Sequence, residues 1–335
     1  MTSTTGGTGR ALEQIGFGCS HITGGFEART NVRLLRRAYD LGLRHFDTAP
    51  MYGHGTSEEV LGAAFRGERH NVVIATKVGI PHGELNPRRQ LLRLIATPLR
   101  RWTPGLSKLA ARRIYSAPAQ TDFSPSFVDR SIEKSLKKLQ TDYIDLLLLH
   151  EVRPADISQE LLAKLQALVR EGKVRRLGIG TSIESMKHIR EAGLEFEVYQ
   201  RPWSVFVPDE ELFADRYQIF HGSILGAMRA VGEKLRGDAE SRKRLEGLCG
   251  LEIRSSDDIA KVLLLAAISA NPRGLVLFSS RSKHRVTSYL KFAQGAGTGP
   301  DLLRALRSWL GVSDIVPSRG AASRLETENQ EVDDG

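Results

Sequence analysis

The sequence predicts a single α/β domain folded as a closed (β/α)8 barrel of the TIM type. Three observations carry this reading. Short apolar runs rich in β-branched residues recur eight times along the chain. Most are separated by stretches whose apolar residues fall at i, i+3, i+4 and i+7, the period of an amphipathic helix. The length, 335 residues, suits one large barrel of roughly 250 to 400 residues. Strands that alternate with helices pair in parallel, because a parallel connection needs a crossover. Eight in strict alternation point to a closed barrel rather than an open doubly wound sheet.

In chain order the expected strands are 15–20, 44–48, 72–78, 143–150, 176–181, 197–200, 217–221 and 274–278. Val32, Leu35, Ala38 and Tyr39 form one helical stripe, Ile132, Leu136 and Leu139 another, and Leu161, Leu165 and Leu168 a third. Ser57-Glu58-Glu59-Val60 reads as a capped helix start. Residues 79–125 hold six of the thirteen prolines and no convincing strand. They are expected to form a long insertion after the third strand, with a short amphipathic helix near 90–95; loops of that length are usually functional or disordered. The barrel domain is expected over 10–316. The polar, acidic tail 317–335 is expected to be disordered.

The net charge of +9 is unevenly placed. Residues 81–125 carry eight Arg or Lys against Glu84 and Asp122, and residues 317–335 carry two arginines against five acids. The excess elsewhere is mild and compatible with a polyanionic small molecule. A nucleic-acid surface would interleave its basic stripe with stacking aromatics, and 81–125 offers only Trp102, Tyr115 and Phe123. No nucleic-acid partner is expected. No window reaches eighteen apolar residues, and the four leucines 146–149 are strand-sized, so no integral membrane span is expected. The N-terminus lacks a basic segment followed by an apolar one, which argues against a secretory signal. Two cysteines, Cys19 and Cys249, make neither a disulfide framework nor a four-ligand zinc site. A cytoplasmic location follows as an expectation.

In such a barrel the chemistry sits at the C-terminal ends of the strands. There the sequence places Asp47 and, five residues on, Tyr52, then Lys77 and His150. Taken singly, each has a structural reading: a turn aspartate, a packed tyrosine, a solvated lysine, a buried histidine. Lys77 and His150 resist it, because each closes a strand apolar enough to be buried on both faces. A lysine there needs a counter-charge, and Asp47 is the available one. The four together suit carbonyl reduction. An ammonium beside a phenol stabilises the phenolate, so Tyr52 can give its proton to a carbonyl oxygen, while neutral His150 orients that oxygen.

HFDTAPMYG, ATKVG, SIEKSLKKLQTDYIDLLLLH and KVRRLGIGTS together resemble the aldo-keto reductase superfamily, over about residues 10 to 290. The resemblance implies an Asp-Tyr-Lys-His tetrad at Asp47, Tyr52, Lys77 and His150, and an extended NADPH/NADP+ across the barrel mouth. It implies that Gln200 holds the nicotinamide amide, with Thr181 near it; the family commonly has Ser-Asn where this chain has Gly180 and Thr181. Trp203 falls where an aromatic stacks on the nicotinamide, although core packing is its other reading. Ser223 and Leu225 align with a loop that cradles the pyrophosphate. Ser280, Arg281 and Arg285 align with a 2′-phosphate site, where guanidinium pairing favours NADPH over NADH. The family's Glu-Asn at the adenine is Ser288-Tyr289 here, so stacking on Tyr289 is the expected substitute.

The implied function is NADPH-dependent interconversion of an aldehyde or ketone, including a sugar or an anionic carbonyl, and its alcohol. The other reading is a non-catalytic NADPH-binding regulatory or scaffold protein on the same barrel; the intact tetrad favours the enzyme. Basic residues 88–114 also allow a surface for anionic membrane or an acidic partner. The glycine loops 53–58 and 178–183 lack the third glycine of a dinucleotide fingerprint. No metal site is expected, since the nine histidines show no HxxxH or HExxH spacing, and no Gly-x-Ser-x-Gly elbow is present.

Overall fold

A computed structural model describes residues 10–81, 120–207, 213, 215–295 and 300–312. The expected helix near 90–95, the body of the 79–125 insertion and the tail 317–335 lie outside the described residues. Eight parallel strands close into one barrel in chain order. They are β1 (Ile15–Gly18), β2 (His45–Asp47), β3 (Val73–Val78), β4 (Ile144–His150), β5 (Val174–Gly180), β6 (Val198–Pro202), β7 (Tyr217–His221) and β8 (Leu275–Phe278). The ring closes where β1 meets β8, with Ile15 opposite Val276. A helix follows each of the first five strands. Between β7 and β8 there are three, Leu225–Lys234, Ala239–Cys249 and Ser256–Ala270, which strict alternation did not anticipate.

Side chains alternate across each strand with a period of two, and here the two faces feed two separate cores. Ala75, Leu146, Leu148, Val198, Ile219, Leu275 and Leu277 fill the barrel interior. Phe17, Phe46, Ile74, Leu147, Leu149, Ile179, Phe220 and Val276 pack outward against the helices. This explains the four consecutive leucines of β4: a parallel strand covered on both sides has no polar face. Gly178 is required by close approach, since a Cβ there would lie 2.5 Å from the Val198 carbonyl oxygen.

The strands agree with the sequence reading to within two residues at most ends. β5 begins at Val174 rather than 176, because Arg175, exposed at its lower end beside Arg176, resembles a loop residue. Their partners are Asp145 at 2.8 Å and Glu197 at 3.1 Å. The helix Ser57–Ala64 is present, but Ser57 does not cap it. Its buried hydroxyl donates instead to the Cys19 carbonyl at 3.1 Å and accepts from Thr48 Oγ1 at 2.9 Å. Residues 79 and 122, where the insertion leaves and rejoins the barrel, meet directly: the Asp122 N–H donates to the Gly79 carbonyl at 2.7 Å.

His45 lies in the lower interior, 8% exposed, and its Nε2 has no hydrogen-bond partner among the described residues. Burial lowers its pKa to about 4, aided by Lys77 and Arg176 and opposed by Asp47 and Asp145. The imidazole is therefore neutral when folded and protonated when unfolded below pH 6.5. Stability from this group is complete above pH 6.5 and is lost as pH falls toward 4. The slope is expected to remove roughly 3 kcal/mol across that window. Urea unfolding of His45→Met between pH 4 and 7 should show a flatter pH dependence than the unaltered chain.

Candidate active site

At the C-terminal end of the barrel the inward-facing series turns from apolar to polar. Two residues beyond Ala75 stands Lys77, beyond Leu148 stands His150, beyond Val198 stands Gln200, and beyond Ile219 stands His221. Asp47 ends β2. One layer of the barrel is thus ionisable or amide-bearing, above a layer of leucine, valine and isoleucine.

Lys77 is 2% exposed. Its ammonium donates to Asp47 Oδ1 at 2.7 Å and to the Thr48 carbonyl at 3.0 Å, and the Tyr52 phenol stands beside it. Burial pulls the Lys77 pKa down, but Asp47 and Tyr52 outweigh it and the net shift is upward. The side chain is charged at neutral pH. The second oxygen of Asp47 accepts from Gln200 Nε2 at 2.6 Å, so the carboxylate joins β2, β3 and the far wall at β6.

Tyr52 sits on the loop after β2, where the chain must turn sharply. Gly53 and His54 both take left-handed backbone conformations, φ 57° in each case. Glycine is needed at 53, because a Cβ would come within 1.8 Å of the Ile22 carbonyl oxygen. The Gly53 N–H donates to the Ser20 carbonyl at 3.0 Å, and the Gly24 N–H to Thr56 Oγ1 at 2.7 Å. These bonds fasten the loop to its neighbour and aim the phenol at Lys77, whose Nζ is 4.6 Å from the ring centre. Burial pushes the Tyr52 phenol up; the Lys77 cation pulls the other way without overcoming it. The sequence reading anticipated the cation but not that burial would prevail. Tyr52 therefore keeps its proton at neutral pH.

His150 meets Tyr52 edge to face, with ring centres 6.3 Å apart. Burial, then the Lys77 cation and His221, lowers its pKa to about 3, so it is a neutral imidazole. His221 closes β7 beside this group, open at the mouth. The surrounding walls and the Lys77 cation lower its pKa to about 4, with Asp47 opposing. Sequence reading passed over His221, although the signal was present: it is the last inward position of β7.

The remaining residues divide. Thr181 is buried just past β5. Ser223 is 1% exposed, and its hydroxyl has no partner among the described residues. Leu225 is exposed at the start of its helix. Ser280 is half-buried and accepts from the Ser282 N–H at 3.1 Å, and Arg281 is exposed. Arg285 is exposed and paired with Asp257 at 2.9 Å. Two expectations are corrected. Trp203 is 2% exposed and lies parallel to outward-facing Phe220, at 5.4 Å and 6°; so large a ring gains more from the outer core than from a wet mouth. Tyr289 is 5% exposed against Phe278, so its ring is closed to an adenine. Among the described residues no group of three or more His, Cys, Asp or Glu could hold a metal, and no helix is long and apolar enough to cross a membrane.

Residues 14–235 match the model of the Aldo/keto reductase family. The chain is 32% identical over 200 residues to D-threo-aldose 1-dehydrogenase from a Pseudomonas species, a match covering 56% of each chain. It spans about half the length of the curated relatives it matches. The fold is similar to that of aldo-keto reductase AKR11C1 from Bacillus halodurans in its holo form, with TM-score 0.65 and 19% identity over 91% of this chain and 94% of that one. It is also similar to an aldo/keto reductase from Klebsiella pneumoniae in complex with NADP and acetate, with TM-score 0.58 and 23% identity over 92% and 93%.

The buried ion pair carries a stability test independent of any activity. Asp47→Asn leaves the Lys77 cation without its counter-charge and is expected to cost about 3–5 kcal/mol. Adding Lys77→Met should recover most of that loss, measured by denaturant unfolding.

Proposed function

This chain belongs to the aldo/keto reductase family, and from that premise we propose that it is an NADPH-dependent oxidoreductase. It interconverts an aldehyde or ketone and its alcohol, with Tyr52 as the proton donor. The observation that carries this reading is the buried Asp47–Lys77 pair with the Tyr52 phenol beside the same ammonium, its ring centre 4.6 Å from Nζ. A charged lysine inside a barrel is costly, and the arrangement serves chemistry better than stability.

Bound NADPH supplies the hydride. Tyr52 holds the proton that the carbonyl oxygen must receive, and its raised pKa keeps that proton in place until it is needed. Lys77 favours the phenolate left behind, while Asp47 keeps Lys77 charged and fixed. His150, neutral, offers a hydrogen bond to the same oxygen; such donors are typically worth about 10²–10³ in rate. The residues also suit the dinucleotide. The unpartnered buried hydroxyl of Ser223 stands just before a helix start, where phosphate binding is favoured. Thr181 and Gln200 provide polar groups at the mouth for the nicotinamide amide, Leu225 adds a backbone amide, and Ser280, Arg281 and Arg285 suit a 2′-phosphate.

The partner is a small-molecule carbonyl or alcohol. The likeness to an aldose dehydrogenase supports sugars as the first substrates to try. The two free cysteines fit a reducing, cytoplasmic compartment.

Tyr52→Phe should lower turnover by about 10²–10⁴ and leave the dissociation constant for NADPH near normal, read by absorbance kinetics and fluorescence titration. Unchanged turnover with any substrate that the parent reduces would sink the assignment. Replacing Arg281 and Arg285 together with Ala should weaken NADPH far more than NADH; equal effects would remove them from the phosphate site.

A further inference from the structure

The two arginines assigned to the phosphate are held differently. Arg281 is exposed. Arg285, on the helix Lys283–Gly295, is tied down: its Nε lies 2.9 Å from Asp257 Oδ1. Asp257 comes from the first turn of another helix, Ser256–Ala270. Tyr289, one turn beyond Arg285, lies close enough to that same carboxylate for the two to interact. Its ring is packed against Phe278 at 5.9 Å, so the carboxylate has a buried, rigid neighbour on that side. The adjacent Asp258 is engaged elsewhere, with Ser255 at 2.8 Å and Lys261 at 3.0 Å.

A guanidinium is planar, with Nε at one edge and two terminal nitrogens at the other. Pairing through Nε restrains the side chain and leaves the Nη1 and Nη2 side for a second acceptor. We propose that Asp257 is a positioning residue for cofactor choice: backed by Tyr289, it holds Arg285 ready for the phosphate monoester that distinguishes NADPH from NADH. This rests on the NADPH reading above.

Two effects of the carboxylate oppose each other. Its negative charge repels a phosphate, but at a solvated surface, and already neutralised by Arg285, that repulsion is screened to a few-fold at most. A free arginine must give up side-chain freedom on binding, worth up to roughly thirtyfold. The tether spends part of that freedom beforehand, and it is the larger effect. The position where the family carries an adenine-binding asparagine thus supports an arginine instead.

The test is the dissociation constant of the full chain for NADPH, NADH and 2′,5′-ADP, by fluorescence titration and calorimetry without any substrate. Asp257→Asn is expected to weaken NADPH and 2′,5′-ADP about tenfold and NADH less than twofold. Tyr289→Phe should act in the same direction by a smaller factor. In an Arg285→Ala background, Asp257→Asn should add nothing. The inference is overturned if Asp257→Asn leaves NADPH binding unchanged or tighter, weakens both dinucleotides equally, or acts undiminished without Arg285. A parent chain that binds neither dinucleotide would overturn the functional reading itself, and this inference with it.

Discussion

An ammonium sealed inside a barrel of leucines is tolerable only with acceptors on it, and Lys77 has Asp47 and the Thr48 carbonyl, with the Tyr52 ring beside them. Much of the upper barrel follows from that requirement. The register of β2 and β3 must bring Asp47 beside the lysine. The loop after β2 must present both a carbonyl and a phenol to it, which needs the left-handed turn at Gly53 and His54. Gln200, reaching from β6 to the free oxygen of Asp47, then holds the opposite wall to the same point.

The electrostatic balance around this cation is equally constrained. Two imidazoles, His150 and His221, lie close enough to feel Lys77, and both are held neutral. Protonating either would place a second cation in the same small volume. Among the described residues, the buried Lys77–Asp47 pair is therefore flanked by two neutral imidazoles. That is a favourable field for an oxygen that gains negative charge as it reacts.

Most of the barrel was legible because buried parallel strands have an unmistakable composition, four leucines in a row in β4 being the plainest case. Asp47, Lys77 and His150 were legible for a related reason: a polar residue closing an apolar strand must have a partner. Where composition and position disagree, reading fails. Arg175 hid the start of β5, since a charge at the barrel's lower end resembles a loop. Trp203 was offered to the mouth, but the two-residue alternation that continues past β6 sends it outward onto Phe220. His221 obeys the same alternation, at the last inward position of β7. The Arg285 and Ser57 side chains depend on partners distant in sequence, Asp257 and Cys19, which no local pattern encodes.

The hydrogen bond between Asp122 and Gly79 has a consequence for how this chain can change over time. The polypeptide leaves the barrel and returns to it at one point, so the span between is closed at its base whatever its length. Loop-closure cost rises only logarithmically, about 0.6 kcal/mol for each doubling. Residues can accumulate or be lost there with little penalty to the strands on either side. The barrel offers a socket beside its mouth in which new specificities can be tried while the proton-handling core stays as it is.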